Sequence, residues 1–282
     1  MSNASLIVAD SKDALPLHLN TLISNLACQA IAARGAFTVA LSGGSLPSFL
    51  ATLDQSFDDN GHAAHWDKWH ILLADERCVV ESDADSNMGS IRAKFLANTK
   101  IPASQIHGIN ESKLTESTQA VADDYEAVLK GSLAKSGGCL DLAVLGFGPD
   151  GHTCSLFPGH ALLEEATALV APITDSPKPP PNRITLTFPV LNKMTRHAIV
   201  CGAGGSKGPI VEKVFAKVAT ATTAYSVAKG TQYSVQMQRD PAPFPCAMVD
   251  PNVPSETEPA TLTWIIDADA LQAANVQVAS EM

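Results

Sequence analysis

A chain of 282 residues with 45% hydrophobic side chains carries enough apolar material for a sizeable core, and a prior of about 150 residues per domain allows one large domain or two small ones. Its 19 basic residues against 29 acidic ones give a net charge of −10, which speaks against non-specific binding to nucleic acid or to an anionic membrane. An anionic ligand would have to be held by a local cationic cluster against that field.

In chain order, short apolar runs alternate with longer amphipathic ones, the pattern of an α/β fold. Leu19, Leu22, Ile23, Leu26, Ala30 and Ile31 fall at helical spacing and predict a helix from Pro16 to Arg34. The proline suits the first turn and Gly35 the C′ position. Phe37–Leu41 follows as a buried strand and His70–Ala74 as a second. Helical patterns cover Asn87–Asn98 and Glu116–Leu133. Asp141–Leu145 is the third strand and His197–Cys201 the fourth, followed by a helix over Lys207–Lys217. Thr263–Ile266 reads as a last strand and Asp267–Asn275 as a short closing helix. Ser176–Pro181 is a stiff, polyproline-like stretch. The segment 219–260, rich in Pro, Thr and Gln, is assigned no element. No linker composition or internal repeat interrupts the chain, so residues 1–282 read as a single domain on a mostly parallel sheet. In such sheets ligands sit outside the carboxyl ends of the strands, where the loops below are expected to fall.

The six cysteines, at 28, 78, 139, 154, 201 and 246, form no C-x-x-C and read as reduced thiols, most of them buried. The first residues lack the basic segment and long apolar stretch of a signal peptide, and no apolar run approaches the roughly 20 residues that span a bilayer. The C-terminal Ser280-Glu281-Met282 matches no targeting address. A cytoplasmic protein is expected, with a small molecule as its partner and neither nucleic acid nor membrane; the oligomeric state is not legible.

Four loops carry polar chemistry. Ser42-Gly43-Gly44-Ser45 follows the first strand and precedes a helix expected at Pro47; its glycines permit close backbone approach, and amides at a helix start attract anions. No G-K-[ST] closes it, so it is not a Walker A loop. Asp75-Glu76-Arg77 sets three charges at the end of an apolar strand. Ser86-Asn87 opens the next helix, one turn into which Arg92 could point at the same crevice. Asn182-Arg183-Ile184-Thr185 and Gly204-Gly205-Ser206-Lys207 each offer a cation, the arginine suited to bidentate phosphate recognition and the lysine to a point charge.

The most specific segment is Leu145–His160, LGFGPDGHTCSLFPGH. Gly146, Gly148 and Gly151 satisfy G-x-G-x-x-G, yet the segment does not sit in the first βα unit, and Pro149 stiffens what should become a regular helix. The acid expected about 20 residues on is also missing, Glu164 and Glu165 falling in a predicted helix instead. His152 is the stronger candidate, a titratable group in a Gly-rich loop at a strand end, with Asp150 two residues away to orient or tune it. A metal reading joining His152, Cys154 and His160 matches no familiar zinc spacing, and a Cys154 nucleophile lacks a base. Neither a metal nor a cofactor is expected.

Taken in order, Ser42–Ser45, Ala74–Arg77, Ser86-Asn87, Gly146–Thr153 with Ser155–His160, and Pro181–Thr185 resemble the 6-phosphogluconolactonase family. The likeness covers roughly residues 5–215, returns at Trp264–Asp267, and is poorest over 219–260. It implies a three-layer Rossmann-like fold shared with sugar-phosphate isomerases and cofactor-free hydrolysis of 6-phosphoglucono-δ-lactone in the pentose phosphate pathway. By that resemblance His152 is the general base, with Asp150 beside it. Ser42, Gly43, Gly44, Asp75, Arg77, Asn87, Arg92, Arg183 and Lys207 are the expected substrate- and phosphate-binding set. Cys154 stands where alanine is more usual, a difference expected to be neutral. The isomerase branch carries an Asn-Glu-Pro segment after its histidine; here Ser155–His160 contains no acid, which favours the lactonase. A sugar-phosphate isomerase of the glucosamine-6-phosphate type and a non-catalytic sugar-phosphate sensor are the alternatives.

Overall fold

Runs such as Phe37–Leu41 and Trp69–Leu73 are buried at every position, as strands covered on both faces must be. The computed structural model describes residues 3–215, 223–253, 259–274 and 276. Its strands are β1 (Asn3–Ala9), β2 (Phe37–Leu41), β3 (Trp69–Leu73), β4 (Asp75–Arg77), β5 (Leu140–Gly146), β6 (Val170–Ile173), β7 (Arg183–Leu186), β8 (Thr195–Gly202), β9 (Thr223–Val227), β10 (Gly230–Gln236) and β11 (Thr261–Asp267). Among the described residues, eight form one sheet in the order β3-β2-β5-β8-β11-β1-β10-β9. From β3 through β1 the neighbours run parallel; β10 returns antiparallel to β1 and β9 antiparallel to β10. The fold is α/β with a mostly parallel sheet, as expected.

The helix Leu15–Arg34 begins with Pro16 in its first turn and ends on Gly35, whose φ of 76° supplies the left-handed cap that a side chain would disfavour. It packs across β1, β2, β5 and β11. At the amino end of β5 the buried Asp141 accepts from the Thr38 amide at 2.8 Å and pairs with Arg34 at 2.8 Å and Arg196 at 3.4 Å, far along the strand from the loops of interest. Three other helices predicted from the sequence differ from their expected spans mainly at their ends: Asn87–Lys94, Thr118–Leu133 and Gly208–Phe215, the last preceded by a 3-10 turn at Gly205–Lys207. The expected Lys207–Lys217 helix thus has residues 216 and 217 outside the described residues. Asp267 caps rather than joins the closing helix Ala268–Ala273, and Asn275 also lies outside them. Glu164 ends a 3-10 turn and Glu165 lies beyond it, not in the helix expected there.

Two features escaped the sequence reading. β1, β9 and β10 extend the main sheet beyond the four-strand core and β11; β9 and β10 lie in the unassigned 219–260 segment. A second sheet, β4-β7-β6, is antiparallel and pairs Asp75 with Thr185, Glu76 with Ile184 and Arg77 with Arg183. The Asp75–Arg77 and Arg183–Thr185 motifs are therefore paired strands, and the second does not follow a strand of the main sheet as expected.

Candidate active site

The carboxyl ends of β2, β5 and β8 and the inner face of β4-β7 enclose a crevice. Ser42, Gly43, Gly44, Asp75, Arg77, Asn87, Gly148, His152, Arg183 and Lys207 are among its lining residues. The structure brings together all the predicted site residues except Asp150 and Arg92; Asp150 stands just behind His152. Arg92 is a correction: its guanidinium pairs with Glu81 at 2.6 and 3.2 Å on a separate, exposed surface. The helix turn that carries it points away from the crevice.

One wall is the Ser42–Ser45 turn. The Ser42 amide donates to Val144 O at 3.0 Å, continuing the β2-β5 ladder, whereas the Gly43 and Gly44 amides have no backbone partner among the described residues. A Cβ on Gly43 would overlap the Asn87 carboxamide, so this glycine is dictated by close packing against Asn87. Asn87 donates to Asp75 O at 2.8 Å and to Asp75 Oδ1 at 3.4 Å. The buried Ser42 hydroxyl has no hydrogen-bond partner among the described residues.

The second wall follows from strand alternation. In β4, Asp75 and Arg77 share the crevice face while Glu76 points the opposite way. Glu76, 1% exposed, accepts from the amides of Arg77, Asn87 and Met88 at 2.7, 2.7 and 2.8 Å and from Ser86 Oγ at 3.2 Å. It fastens the start of the Asn87 helix to β4. Burial pushes its carboxyl up to about 6, against the opposing effect of the three amides. Asp75 accepts from Ser155 Oγ at 2.8 Å, tying β4 to the segment after His152. Arg77 and Arg183 are direct cross-strand partners, an arrangement that costs free energy without an anion between or beside them. Arg183, 3% exposed, is held by carbonyls: Nε by Pro180 O at 3.0 Å, Nη2 by Lys178 O and Pro179 O at 3.0 and 2.9 Å. Burial lowers its pKa, and the neighbouring Arg77 adds to the effect. Arg77 donates to Asp85 O at 2.6 Å, but its buried Nε has no partner among the described residues. Lys207 donates to Phe147 O and lies 4.9 Å from the centre of the Phe147 ring.

The loop after β5 presents the histidine. Gly148 N donates to His152 O and Gly151 N to Gly148 O, both at 2.9 Å, so these amides close the loop on itself and do not face a nucleotide. Gly151 has φ of 82°, and a Cβ on it would strike Phe244. His152 Nδ1 lies 2.5 Å from Asp150 Oδ1, which fixes the tautomer with hydrogen on Nδ1. Nε2 has no hydrogen-bond partner among the described residues. Burial lowers the His152 pKa, the carboxylate of Asp150 opposes that, and Lys178 reinforces it. The net effect favours the neutral imidazole. Asp150 is held down at about 2: burial would raise it, but the hydrogen bonds from His152 and Lys178 outweigh that effect.

Lys178, read from sequence only as part of a proline stretch, stands 3.0 Å from Asp150 Oδ2 and 3.1 Å from His152 Nδ1. No local pattern marks it; the available signal was a lone cation among prolines just before Arg183. His160 is turned away to Asp175 at 3.0 Å, while Cys154 is buried with its thiol pushed well up by burial. No group of three or more His, Cys, Asp or Glu side chains among the described residues could hold a metal ion. No described helix is long and apolar enough to cross a membrane.

A family model described as glucosamine-6-phosphate isomerases/6-phosphogluconolactonase matches residues 10–255, through most of the 219–260 segment expected to match poorly. A rice (Oryza sativa subsp. indica) protein named probable 6-phosphogluconolactonase 3, chloroplastic, is 44% identical over 215 residues, 73% of this chain. That match spans 64% of the rice protein's own length. The human 6-phosphogluconolactonase is 36% identical over 245 residues, covering 86% of this chain and 83% of its own. The solved 6-phosphogluconolactonase of Trypanosoma cruzi superposes with a TM-score of 0.70 over 97% of each chain at 22% identity, which speaks for the fold.

Proposed function

The chain belongs to the glucosamine-6-phosphate isomerase/6-phosphogluconolactonase family, and we propose that it hydrolyses 6-phosphoglucono-δ-lactone to 6-phosphogluconate. The observation that carries this reading is a histidine held by an aspartate at 2.5 Å and lining the same crevice as Arg77, Arg183 and Lys207. The buried Ser42 Oγ and Arg77 Nε have no partner among the described residues, which supports their use by a ligand. The sugar 6-phosphate would lie against them, the Gly43 and Gly44 amides and Lys207, with Arg183 contributing charge from the floor. Asp75 and Asn87 shape this pocket, Asn87 donating to both the carbonyl and the carboxylate of Asp75.

His152 Nε2 accepts a proton from water as the water oxygen bonds to C1 of the lactone and the carbonyl electrons move to oxygen. Collapse of the tetrahedral intermediate breaks the C1–ring oxygen bond, and the imidazolium returns its proton to that oxygen. Asp150 keeps hydrogen on Nδ1 and stabilises the imidazolium. The new carboxylic acid then loses its proton to solvent. Positioned acid–base catalysis of this kind contributes roughly 100- to 10,000-fold.

Ser155–His160 contains no carboxylate to move a carbon-bound proton, which favours hydrolysis over isomerisation. The reading takes the protein as a single-domain cytoplasmic enzyme; six free cysteines fit a reducing compartment. The test is proton release with freshly prepared 6-phosphogluconolactone, compared with gluconolactone and glucosamine 6-phosphate. Turnover confined to the phosphorylated lactone is expected. Preferred turnover of glucosamine 6-phosphate would transfer the site to the isomerase reaction.

A further inference from the structure

Asp150 has two cationic or donor neighbours, and only one of them is the imidazole. Lys178 Nζ lies 3.0 Å from Oδ2, while His152 Nδ1 lies 2.5 Å from Oδ1, so one carboxylate bridges both groups. The ammonium is also 3.1 Å from His152 Nδ1. These three side chains form a closed triangle behind the ring nitrogen that faces the crevice.

The lysine is placed by a built loop. Ser176 Oγ donates to Lys178 O at 2.8 Å, and Arg183 holds the carbonyls of Lys178, Pro179 and Pro180. The Phe157 ring underlies the group: it sits 4.8 Å from the His152 ring, 6.0 Å from Lys178 Nζ and 5.8 Å from the Arg183 guanidinium carbon. Arg183 thus reaches the histidine through the loop it organises as well as through the crevice it lines.

We propose that Lys178 is a positioning residue for the lactonase reaction, holding the Asp150 carboxylate in place on His152. This rests on the reading of His152 as general base. A cation beside Nδ1 disfavours the imidazolium, while Asp150 favours it. With both present, the neutral imidazole is favoured yet keeps a counter-ion for the charge it acquires during the reaction. Among the described residues, the other charged or titratable groups that interact with this cluster are Asp75 from β4, Lys207 after β8 and the buried Cys246 from the short helix Pro245–Met248. Asp75 favours the imidazolium, and Lys207 lies close enough to interact with Lys178 and Asp150.

The experiment compares wild type, Lys178→Met and Lys178→Arg by the pH dependence of kcat/KM for the phosphorylated lactone and by NMR titration of the His152 ring. Lys178→Met is expected to move both the acid limb and the imidazole titration to higher pH, by several tenths of a pH unit, and to lower kcat at pH 7 with KM nearly unchanged. Lys178→Arg should restore most of the wild-type profile. Coincident limbs and titrations in wild type and Lys178→Met would overturn the proposal while leaving the lactonase reading intact. If wild type turns over no lactone, that reading fails, and the NMR titration alone still decides whether Lys178 governs the histidine.

Discussion

Arg77 and Arg183 face each other across the β4-β7 pair, two guanidinium groups on one side of a buried ladder, but their remaining partners differ. Arg183 has three hydrogen bonds to loop carbonyls, whereas the buried Arg77 Nε has no partner among the described residues. Arg77→Ala is therefore expected to raise KM for the phosphorylated lactone at least tenfold with a smaller change in kcat. Arg183→Ala should raise KM and also lower kcat, because the Lys178 loop loses its anchor. Arg92→Ala, which removes only an exposed pair with Glu81, should leave both constants within about twofold, since such pairs contribute about 0–1 kcal/mol. Steady-state kinetics on the three variants checks all three statements; an unchanged KM in Arg77→Ala would remove Arg77 from the phosphate site.

The Asp150–His152 pair makes a prediction in pH. Burial holds the His152 pKa below 6.5, so kcat/KM should be flat near neutrality and fall only as pH drops below that value. His152→Ala is expected to lose roughly 100-fold or more in kcat while retaining affinity for 6-phosphogluconate, measured by calorimetry. In Asp150→Asn the carboxylate no longer favours the imidazolium, so the acid limb should move to lower pH, opposite to the direction expected for Lys178→Met. Its plateau should fall as well, since an amide that donates to Nδ1 places hydrogen on Nε2 and removes the base. An upward-moving limb in Asp150→Asn would contradict the electrostatic assignment.

Gly148 gives the G-x-G-x-x-G pattern its physical meaning. A Cβ there would overlap the His152 ring and the Asp150 carboxylate, so the glycine is required by the histidine. Gly148→Ala should displace the imidazole and cut kcat by at least tenfold. Binding of 6-phosphogluconate should change little, because the phosphate contacts lie on other walls. Circular dichroism and product affinity together separate this outcome from general unfolding.

The parallel core was legible because Phe37–Leu41, Asp141–Leu145 and His197–Cys201 are apolar runs buried on both faces, and burial on both faces leaves a signal that needs no partner to be read. The Gly-rich turns after them were legible for the same reason, since each directly follows such a run. The β4-β7-β6 sheet was not. Its strands are three or four residues long, and what makes Asp75–Arg77 a strand is its pairing with Arg183–Thr185, distant in sequence. Arg92 shows the converse error: helical spacing gives the residue a side, but the side facing the crevice is set by Glu76 gripping the helix start.

That grip makes Glu76 the last testable residue. Its carboxyl is raised from 4.5 to about 6 in the folded protein, chiefly by burial, so the folded state binds this proton more tightly than the unfolded chain does. The group's contribution to stability is consequently least favourable above pH 6 and improves as pH falls through that range, by about 1.5 kcal/mol between pH 7 and pH 4.5. Glu76→Gln lacks this titration. In parallel urea denaturations, the stability of wild type relative to Glu76→Gln should rise by roughly that amount between pH 7 and pH 4.5, whatever constant offset the lost carboxylate oxygen introduces. A difference that stays flat with pH, or that falls on acidification, would show that the carboxyl does not titrate upward from its ordinary value. The same variant should weaken binding of 6-phosphogluconate at pH 7, because an NH2 group replaces one of the two carboxylate oxygens that hold the Asn87 helix start, and with it the wall packed on Gly43.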